Sequence, residues 1–351
     1  MIKNVRNGLL VFVIMLLIIV FSVIALATDF GNYKPLEGTL VVAIDNMPTV
    51  EASKKYKFGL TVPHLKDEFW IAFAYGCEDE AKKLGIDLAI VEAGGYGKII
   101  TQVNQIEDFV TKGYDAIILG ATDYEGPAIA VSEAWKKNVP VVAGSNLINE
   151  SHTPGAYTNY IAAAAGQADY IGRNNPTAKV AFLNGPAGAY WSTQIIEAFK
   201  DTLKKYPGVE LVIDKYHDMD IITAMNVASD IVQKYPDIDY IGNASDFQAK
   251  GVIDALRSFG KKPGEIGVTC LTMGSEAFEL FKEGWIQYAI AERSVLCGRL
   301  CVRMAVKILE GEIIEKVWTW EMPGFAYCPE DIEKFEQDEW KNNWAPKDWR
   351  P

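Results

Sequence analysis

The sequence predicts an α/β protein with two duplicated Rossmann-like lobes, each built on a parallel sheet and joined to the other by a hinge. Apolar runs of strand length alternate with amphipathic stretches of helix length along most of the chain. Residues 82–88 resemble residues 204–211, and residues 114–117 resemble residues 238–241, a spacing far too long for a solenoid repeat. The 351 residues are enough for two domains of ordinary size.

The first unit, residues 57–97, sets the pattern for the rest. Residues 58–62 form an apolar run rich enough for a strand that is buried on both faces. A stripe at helical spacing follows it: Phe73, Cys77, Ala81 and Leu84. Gly85 ends that helix, and residues 86–91 form the next strand. A strand, a helix and a strand joined by short loops predict a right-handed crossover and a parallel sheet.

The same alternation continues to residue 321. In the first half we predict a helix over residues 99–110, a strand over 115–119, a helix ending near 138 and a strand over 139–143. The polar, irregular residues 144–160 are expected to cross between the lobes. In the second half we predict helices over 162–171, 195–203, 249–259 and 295–310, and one more that ends at 235. The strands predicted there are 179–183, 209–213, 240–241, 266–271, 285–291 and 317–321.

The N-terminus predicts export to the periplasm. Lys3 and Arg6 precede a long apolar run without acidic residues, and Ala25-Leu26-Ala27 is a small-x-small cleavage site. Residues 1–27 are therefore expected to be a signal peptide cleaved after Ala27; an uncleaved anchor is the alternative, because residues 8–27 nearly span a membrane. The remaining boundaries are an entry segment, 28–55; a first lobe, 56–158 plus 293–313; a second lobe, 159–292 plus 314–328; and a tail, 329–351.

Composition excludes several classes of partner and cofactor. A net charge of −12 without any basic block argues against nucleic acid and anionic membrane surfaces. No glycine fingerprint for a dinucleotide follows the first strand, so no cofactor is expected, and the three dispersed histidines predict no metal site. His64, the best candidate for a lone base, is interpreted as polar surface, so no catalysis is expected. Cys77 and Cys270 are expected to be buried free thiols, whereas Cys297 and Cys301 could face one another.

Aromatic residues gather near the predicted strand-to-helix loops and the crossing. They are Phe69, Trp70, Tyr96, Tyr124, Tyr160, Tyr190 and Trp191. Because ligands of open parallel sheets bind beyond the carboxyl ends of the strands, these rings predict a site for a small molecule. Rings with few charges suit a sugar, stacked on its apolar face, or an alkylated amine held by cation–π attraction. Core or hinge packing of about half of them is the alternative interpretation.

Three motifs resemble the type I periplasmic binding proteins, and within them the proteins that bind trimethylamine N-oxide and signal to a membrane sensor kinase. The motifs are residues 65–70 (LKDEFW) with Tyr75-Gly76, residues 92–96 (EAGGY) with Gln102, and residues 116–120 (AIILG). The resemblance implies a ligand cage of Asp67, Phe69, Trp70, Tyr96 and Tyr160. The sequence departs from that group at three positions: Phe69 and Leu271 stand where the group has tyrosine, and Tyr160 stands where it has tryptophan. Trp191, from the opposite lobe, could compensate for the aromatic ring that is lost.

The expected function is therefore a non-catalytic, exported sensor that binds trimethylamine N-oxide or a related methylated amine and contacts a sensor kinase ectodomain. The alternative is the solute-binding component of an ABC transporter for a sugar or similar small solute, with a membrane permease as its partner. The expected ligand-binding residues are Asp67, Phe69, Trp70, Tyr96, Asp123, Tyr160, Trp191 and Asp246. Trp70→Ala is expected to abolish ligand binding and leave the fold intact. The tail tryptophans, Trp340, Trp344 and Trp349, either dock a partner or pack back onto a lobe.

Overall fold

The computed structural model describes residues 30–42, 46–217, 219–320, 326–328 and 344–351. The predicted signal peptide with its cleavage site, and Trp340 in the tail, lie outside the described residues. No helix within the described ranges is both long and apolar enough to cross a membrane.

The first lobe is built on a seven-stranded, fully parallel sheet with the order β1-β12-β6-β5-β4-β2-β3. Its strands are β1 (Leu36–Val41), β2 (Lys57–Val62), β3 (Asp87–Glu92), β4 (Ala116–Leu119), β5 (Val141–Gly144), β6 (Gly155–Ala156) and β12 (Glu315–Thr319). The helices that belong to this lobe are α1 (Glu68–Lys83), α2 (Ile99–Thr111), α3 (Ala128–Lys136) and α9 (Ser294–Leu309). Strands β4 and β5 are buried along their whole length, as continuous apolar runs require.

The second lobe has a six-stranded sheet with the order β13-β11-β10-β9-β7-β8, parallel except for the edge pair β11 and β13. Its strands are β7 (Lys179–Asn184), β8 (Glu210–Tyr216), β9 (Tyr240–Asn243), β10 (Gly267–Cys270), β11 (Ile286–Ile290) and β13 (Ala326–Tyr327). Its helices are α4 (Tyr160–Asn174), α5 (Tyr190–Leu203), α6 (Ile221–Lys234), α7 (Asp246–Ser258) and α8 (Ser275–Lys282). The predicted α/β class with parallel sheets in two lobes is confirmed.

The residues that cap the N-termini of three helices are polar and lie at the carboxyl ends of the two sheets. Asp67 caps α1 by accepting the Trp70 N–H, and Asn159 caps α4 by accepting the Ala162 N–H. Ser245 caps α7 in a reciprocal capping box with Gln248. Each cap satisfies N–H groups that a helix leaves unpaired in its first turn. The same caps therefore fix the loops that face the cleft between the lobes.

Helices α1 and α9 pack closely and hold the returning chain on the first lobe. A methyl group at Gly76 would lie 2.2 Å from the Val295 carbonyl oxygen, and one at Gly298 would lie 2.3 Å from the Phe73 carbonyl oxygen. Only glycine allows the two backbones to approach this closely. The start of α1 carries three of the predicted site residues, so this contact supports the site.

Three sequence predictions need correction. Residues 314–328 were assigned to the second lobe, but β12 pairs with β1 and β6 in the first sheet, and its Trp318 lies in the first core; only β13 at the end of that range pairs within the second sheet as assigned. The entry segment, 28–55, was expected to be loose, yet β1 within it is the edge strand that pairs with β12. Helix α8 was not predicted, because its eight residues contain barely two turns of apolar periodicity. The other boundaries stay predictions.

Candidate functional site

A cavity of about 40 Å³ lies in the cleft between the carboxyl ends of the two sheets. By the usual measure of about 10–15 Å³ per water it holds about three water molecules. The first lobe contributes Asp67, Phe69, Trp70, Tyr96 and Asn146; the second contributes Tyr160, Trp191, Met219, Ala244, Ser245, Asp246, Phe247 and Thr272; and Glu292 lies between β11 and α9. Seven of the eight predicted ligand-binding residues therefore line one cavity.

Five of the seven predicted rings line this cavity. The Trp191 ring centroid lies 6.1 Å from that of Tyr96 and 6.1 Å from that of Tyr160, so rings from both lobes meet. Phe69 and Trp70 pack edge to face at 5.0 Å. The remaining two, Tyr124 and Tyr190, stack on each other across the cleft at 4.5 Å but do not line the cavity.

The phenols of Tyr96 and Tyr160 are held by polar neighbours in the first lobe. The Trp70 indole N–H donates to the Tyr96 hydroxyl at 3.3 Å, and the Asn146 amide lies 3.5 Å from the same oxygen. The Tyr160 hydroxyl lies 3.1 Å from Ser145 Oγ. Burial raises the pKa of both phenols, so both are neutral at physiological pH.

Three carboxylates reach the cavity, and two of them are hydrogen-bonded to the protein. Asp67 Oδ1 accepts the Trp70 N–H at 2.9 Å. Asp246 accepts the N–H groups of Phe247 at 2.9 Å and of Gly274 at 2.6 Å. Glu292 is different, because both of its carboxylate oxygens are buried and neither accepts an N–H group from the described residues; the hydroxyls of Thr158 and Tyr160 face it, but neither meets the geometry of a normal hydrogen bond. No lysine, arginine or histidine is among the described residues that line this cavity.

This environment favours the protonated forms of the carboxyls. Burial raises the pKa of Asp67 to about 7, with a further rise from the charges of Asp246 and Glu68, while the Trp70 N–H opposes it. Burial also raises the pKa of Glu292 to about 8; the hydroxyls of Thr158 and Tyr160 offset part of the rise, and the charges of Asp246 and Asp67 add to it. At neutral pH the empty site therefore holds more protons than free carboxylates would.

Two predicted residues lie elsewhere than expected. Asp123 does not line the cavity; its Oδ1 accepts the N–H groups of Glu125 at 2.9 Å and Gly126 at 2.7 Å in the turn before α3. His64 was expected on the polar surface but is only 5% exposed, behind the site, with Nε2 3.8 Å from Asp67 Oδ2. Burial lowers the pKa of His64 to about 4, so it is neutral at pH 7.

Four polar residues of the site were missed by the sequence reasoning: Asn146, Ser245, Thr272 and Glu292. They follow β5, β9, β10 and β11 by two residues each. The rule that ligands bind beyond the carboxyl ends of parallel strands predicts these four positions. They were missed because the site was predicted mainly from aromatic residues.

The end of the tail packs back onto both lobes at the mouth of the site. The Trp344 indole N–H donates to the Met273 carbonyl of the second lobe at 2.9 Å. The Trp349 indole N–H donates to Glu78 of α1 at 2.8 Å. Trp344 also lines a neighbouring cavity together with Phe69 and Glu292, two residues that line the main cavity as well.

The comparisons with known proteins agree with this geometry. A family model described as periplasmic binding protein domain matches residues 58–313. The chain is 25% identical to periplasmic protein TorT of Escherichia coli O157:H7 over 283 residues, 77% of this chain and 77% of that protein. It is 29% identical to the ribose import binding protein RbsB of Bacillus subtilis strain 168 over 272 residues, 75% of this chain and 85% of that protein.

A solved structure extends the similarity to most of the chain. An ABC transporter solute binding protein from Bradyrhizobium sp. BTAi1, with bound bis-tris, superposes with a TM-score of 0.74 at 28% identity. The match covers 91% of this chain and 97% of that protein.

Proposed function

This chain belongs to the type I periplasmic binding protein family and is a periplasmic solute-binding protein; on that premise we propose that it captures a small alkylated amine or amine oxide between its lobes. The observation that carries the proposal is the cavity itself, where six aromatic rings and three carboxylates converge without a basic residue among the lining residues described. Rings around an alkylated nitrogen give cation–π attraction and exclude water.

The dimensions and polar groups of the cavity support an amine over a sugar. A cavity of about 40 Å³ suits a ligand of a few heavy atoms better than a sugar ring with its hydroxyls. The three carboxyls of the lining also attract a cation more strongly than an uncharged sugar.

Ligand binding would favour the closed arrangement of the lobes. Rings and carboxylates from both lobes line the cavity, so a ligand gains all of its contacts only when the lobes are together. Protein contacts already cross the cleft in this form: Glu68 of α1 accepts the Ser275 hydroxyl of α8 at 2.6 Å, and Tyr96 lies against Trp191. A membrane partner can therefore recognise the closed form.

The partner we propose is an ABC permease. The relatives at 28% and 29% identity carry transport names, and both cover most of this chain. A sensor kinase ectodomain is the second candidate, favoured by the motifs in residues 65–120 and by the similarity to TorT. Ligand-stimulated ATP hydrolysis by the cognate transporter would support the first; ligand-dependent phosphorylation of a kinase would support the second.

A thermal-shift screen followed by calorimetry tests the ligand class. Methylated amines and amine oxides are expected to stabilise the protein, while ribose, allose and inositol are not. A ligand of five heavy atoms gains at most about 1.5 kcal/mol per atom, so its Kd is expected to be low-micromolar at the tightest. Stabilisation by sugars alone would refute the proposal.

We expect deletion of residues 344–351 to speed ligand release several-fold. The deleted segment contacts both lobes at the mouth of the site, so its contacts with both can form only while the lobes are closed. Stopped-flow displacement measures the rate. Arg350→Ala is the matched control, because the hydrogen bonds of Arg350 to described residues go to carbonyls of its own segment, at Lys347 and Trp349. An unchanged release rate in the deletion variant would show that the tail does not restrain opening.

A further inference from the structure

The charge of the ligand cavity is unbalanced. Three carboxylates line it, whereas lysine, arginine and histidine are missing from its described lining. We propose that the ligand carries a net positive charge, as a small alkylated ammonium ion does, and that Glu292 is its counter-ion. This inference rests on the proposed function and narrows it, since it excludes neutral amine oxides as well as sugars.

Glu292 is the carboxylate that the protein itself leaves unsatisfied. It is 5% exposed, and neither of its oxygens accepts an N–H group from the described residues, so that only the hydroxyls of Thr158 and Tyr160 offset its burial; Asp67 and Asp246 each accept backbone N–H groups. A buried carboxylate without a partner is unfavourable, so a cation that enters the cavity removes this cost. The buried indole N–H of Trp191 also has no partner in the described structure and can donate to a ligand oxygen.

The rings complete the site for an ammonium ion whose nitrogen carries methyl groups. Such a cation has few or no N–H donors, so its charge is satisfied by ring faces and nearby carboxylates. At this cavity the ring centroids of Tyr96 and Tyr160 each lie 6.1 Å from that of Trp191. An amine oxide, by contrast, presents a negatively charged oxygen, which the three carboxylates repel unless one of them is protonated.

The two ligand types predict opposite pH dependence. Glu292 faces the carboxyls of Asp67 and Asp246, the phenols of Tyr96 and Tyr160 and the thiol of Cys297, and Arg293 follows it in the chain. Because the pKa of Glu292 is raised to about 8 and that of Asp67 to about 7, the empty site is partly protonated at pH 7. A cation prefers the ionised carboxylates, so it expels protons and binds more tightly as pH rises through these values, about tenfold per pH unit for each proton released. An amine oxide needs at least one protonated carboxyl in the cavity to receive its oxygen, so its affinity falls as pH rises.

Calorimetry with choline and its uncharged carbon isostere, in which carbon replaces the quaternary nitrogen, tests the charge directly. Choline is expected to bind at least about a hundredfold more tightly than the isostere. Its affinity is expected to rise at least about tenfold from about pH 6.5 to about pH 8.5. Binding is also expected to release protons from the cavity carboxyls to the buffer. Trimethylamine N-oxide and ribose, measured in parallel, are expected to bind more weakly than choline.

Variants test the role of Glu292. Glu292→Gln is expected to weaken choline binding at least about tenfold and to flatten its pH dependence, while hardly affecting the uncharged isostere. Asp123→Asn is the matched control, because it also removes one acidic charge near the cleft but lies outside the cavity, and it should leave choline binding unchanged. If the glutamine variant does not fold, the pH dependence of choline binding to the native protein still tests the inference.

Three results would overturn the inference. If trimethylamine N-oxide or the isostere binds as tightly as choline, or if choline affinity falls with rising pH, the ligand is not selected by charge, although a site for a small amine or amine oxide stands. If Glu292→Gln binds choline as the native protein does, Glu292 is not the counter-ion. If only ribose binds, the proposed function fails as well.

Discussion

Trp70→Ala is expected to lower the free energy of unfolding by about 3–5 kcal/mol, the usual cost of truncating a fully buried tryptophan. Trp70 is 1% exposed, its ring packs edge to face on Phe73 at 5.5 Å, and a methyl group at Gly120 would lie 2.4 Å from it. The indole thus fills the core of the first lobe and at the same time lines the cavity. The burial of the ring argues against the expectation that this substitution leaves the fold undisturbed, because the sequence alone does not show that the ring has both roles.

Phe69→Ala is the matched variant that separates ligand binding from stability. Phe69 is next in the chain, lines the same cavity and is only partly buried, so its truncation is expected to weaken ligand binding at least about tenfold while costing less stability than Trp70→Ala. Urea unfolding followed by circular dichroism and calorimetry with the ligand measure the two effects. Equal stability losses in the two variants would show that Trp70 does not support the core as its burial indicates.

Arg303→Leu is expected to destabilise the protein by about 3–5 kcal/mol, because it leaves a buried carboxylate without its partner. Glu80 on α1 is 2% exposed, and its Oε1 accepts the Arg303 Nε–H at 2.6 Å; Arg303 also donates to the Pro48 carbonyl at 2.7 Å. This ion pair joins α1 to α9. Its loss should therefore also weaken ligand binding, since α1 begins at the site.

The same unfolding assay contains the controls for this prediction. Adding Glu80→Gln to Arg303→Leu removes the unpaired charge and is expected to restore part of the stability. Lys82→Ala, which breaks the exposed pair between Lys82 and Glu78 on the same helix, is expected to change stability by less than about 1 kcal/mol. If Arg303→Leu behaved like Lys82→Ala, the buried pair would make no particular contribution.

Much of the site followed from local sequence. The motif at residues 65–70 placed Asp67, Phe69 and Trp70 at a strand-to-helix loop, and they line the cavity together with Tyr96, Tyr160, Trp191 and Asp246. The prediction worked because the carboxyl ends of parallel strands meet at one edge, so loop position alone indicates proximity. It failed for Asp123, whose carboxylate caps its own turn instead of facing the ligand cavity.

The sequence by itself determined the α/β class, the duplication into two lobes and the set of loops that face the cleft, because periodicity and chain direction are local properties. Only the tertiary structure decided that β12 joins the first sheet, that Trp70 belongs to the core as well as to the cavity, and that Glu292 is buried in the cavity without an N–H donor from the described part of the chain. These depend on which segments, distant in the chain, come into contact, and that is set by packing between elements rather than by the pattern within any one of them.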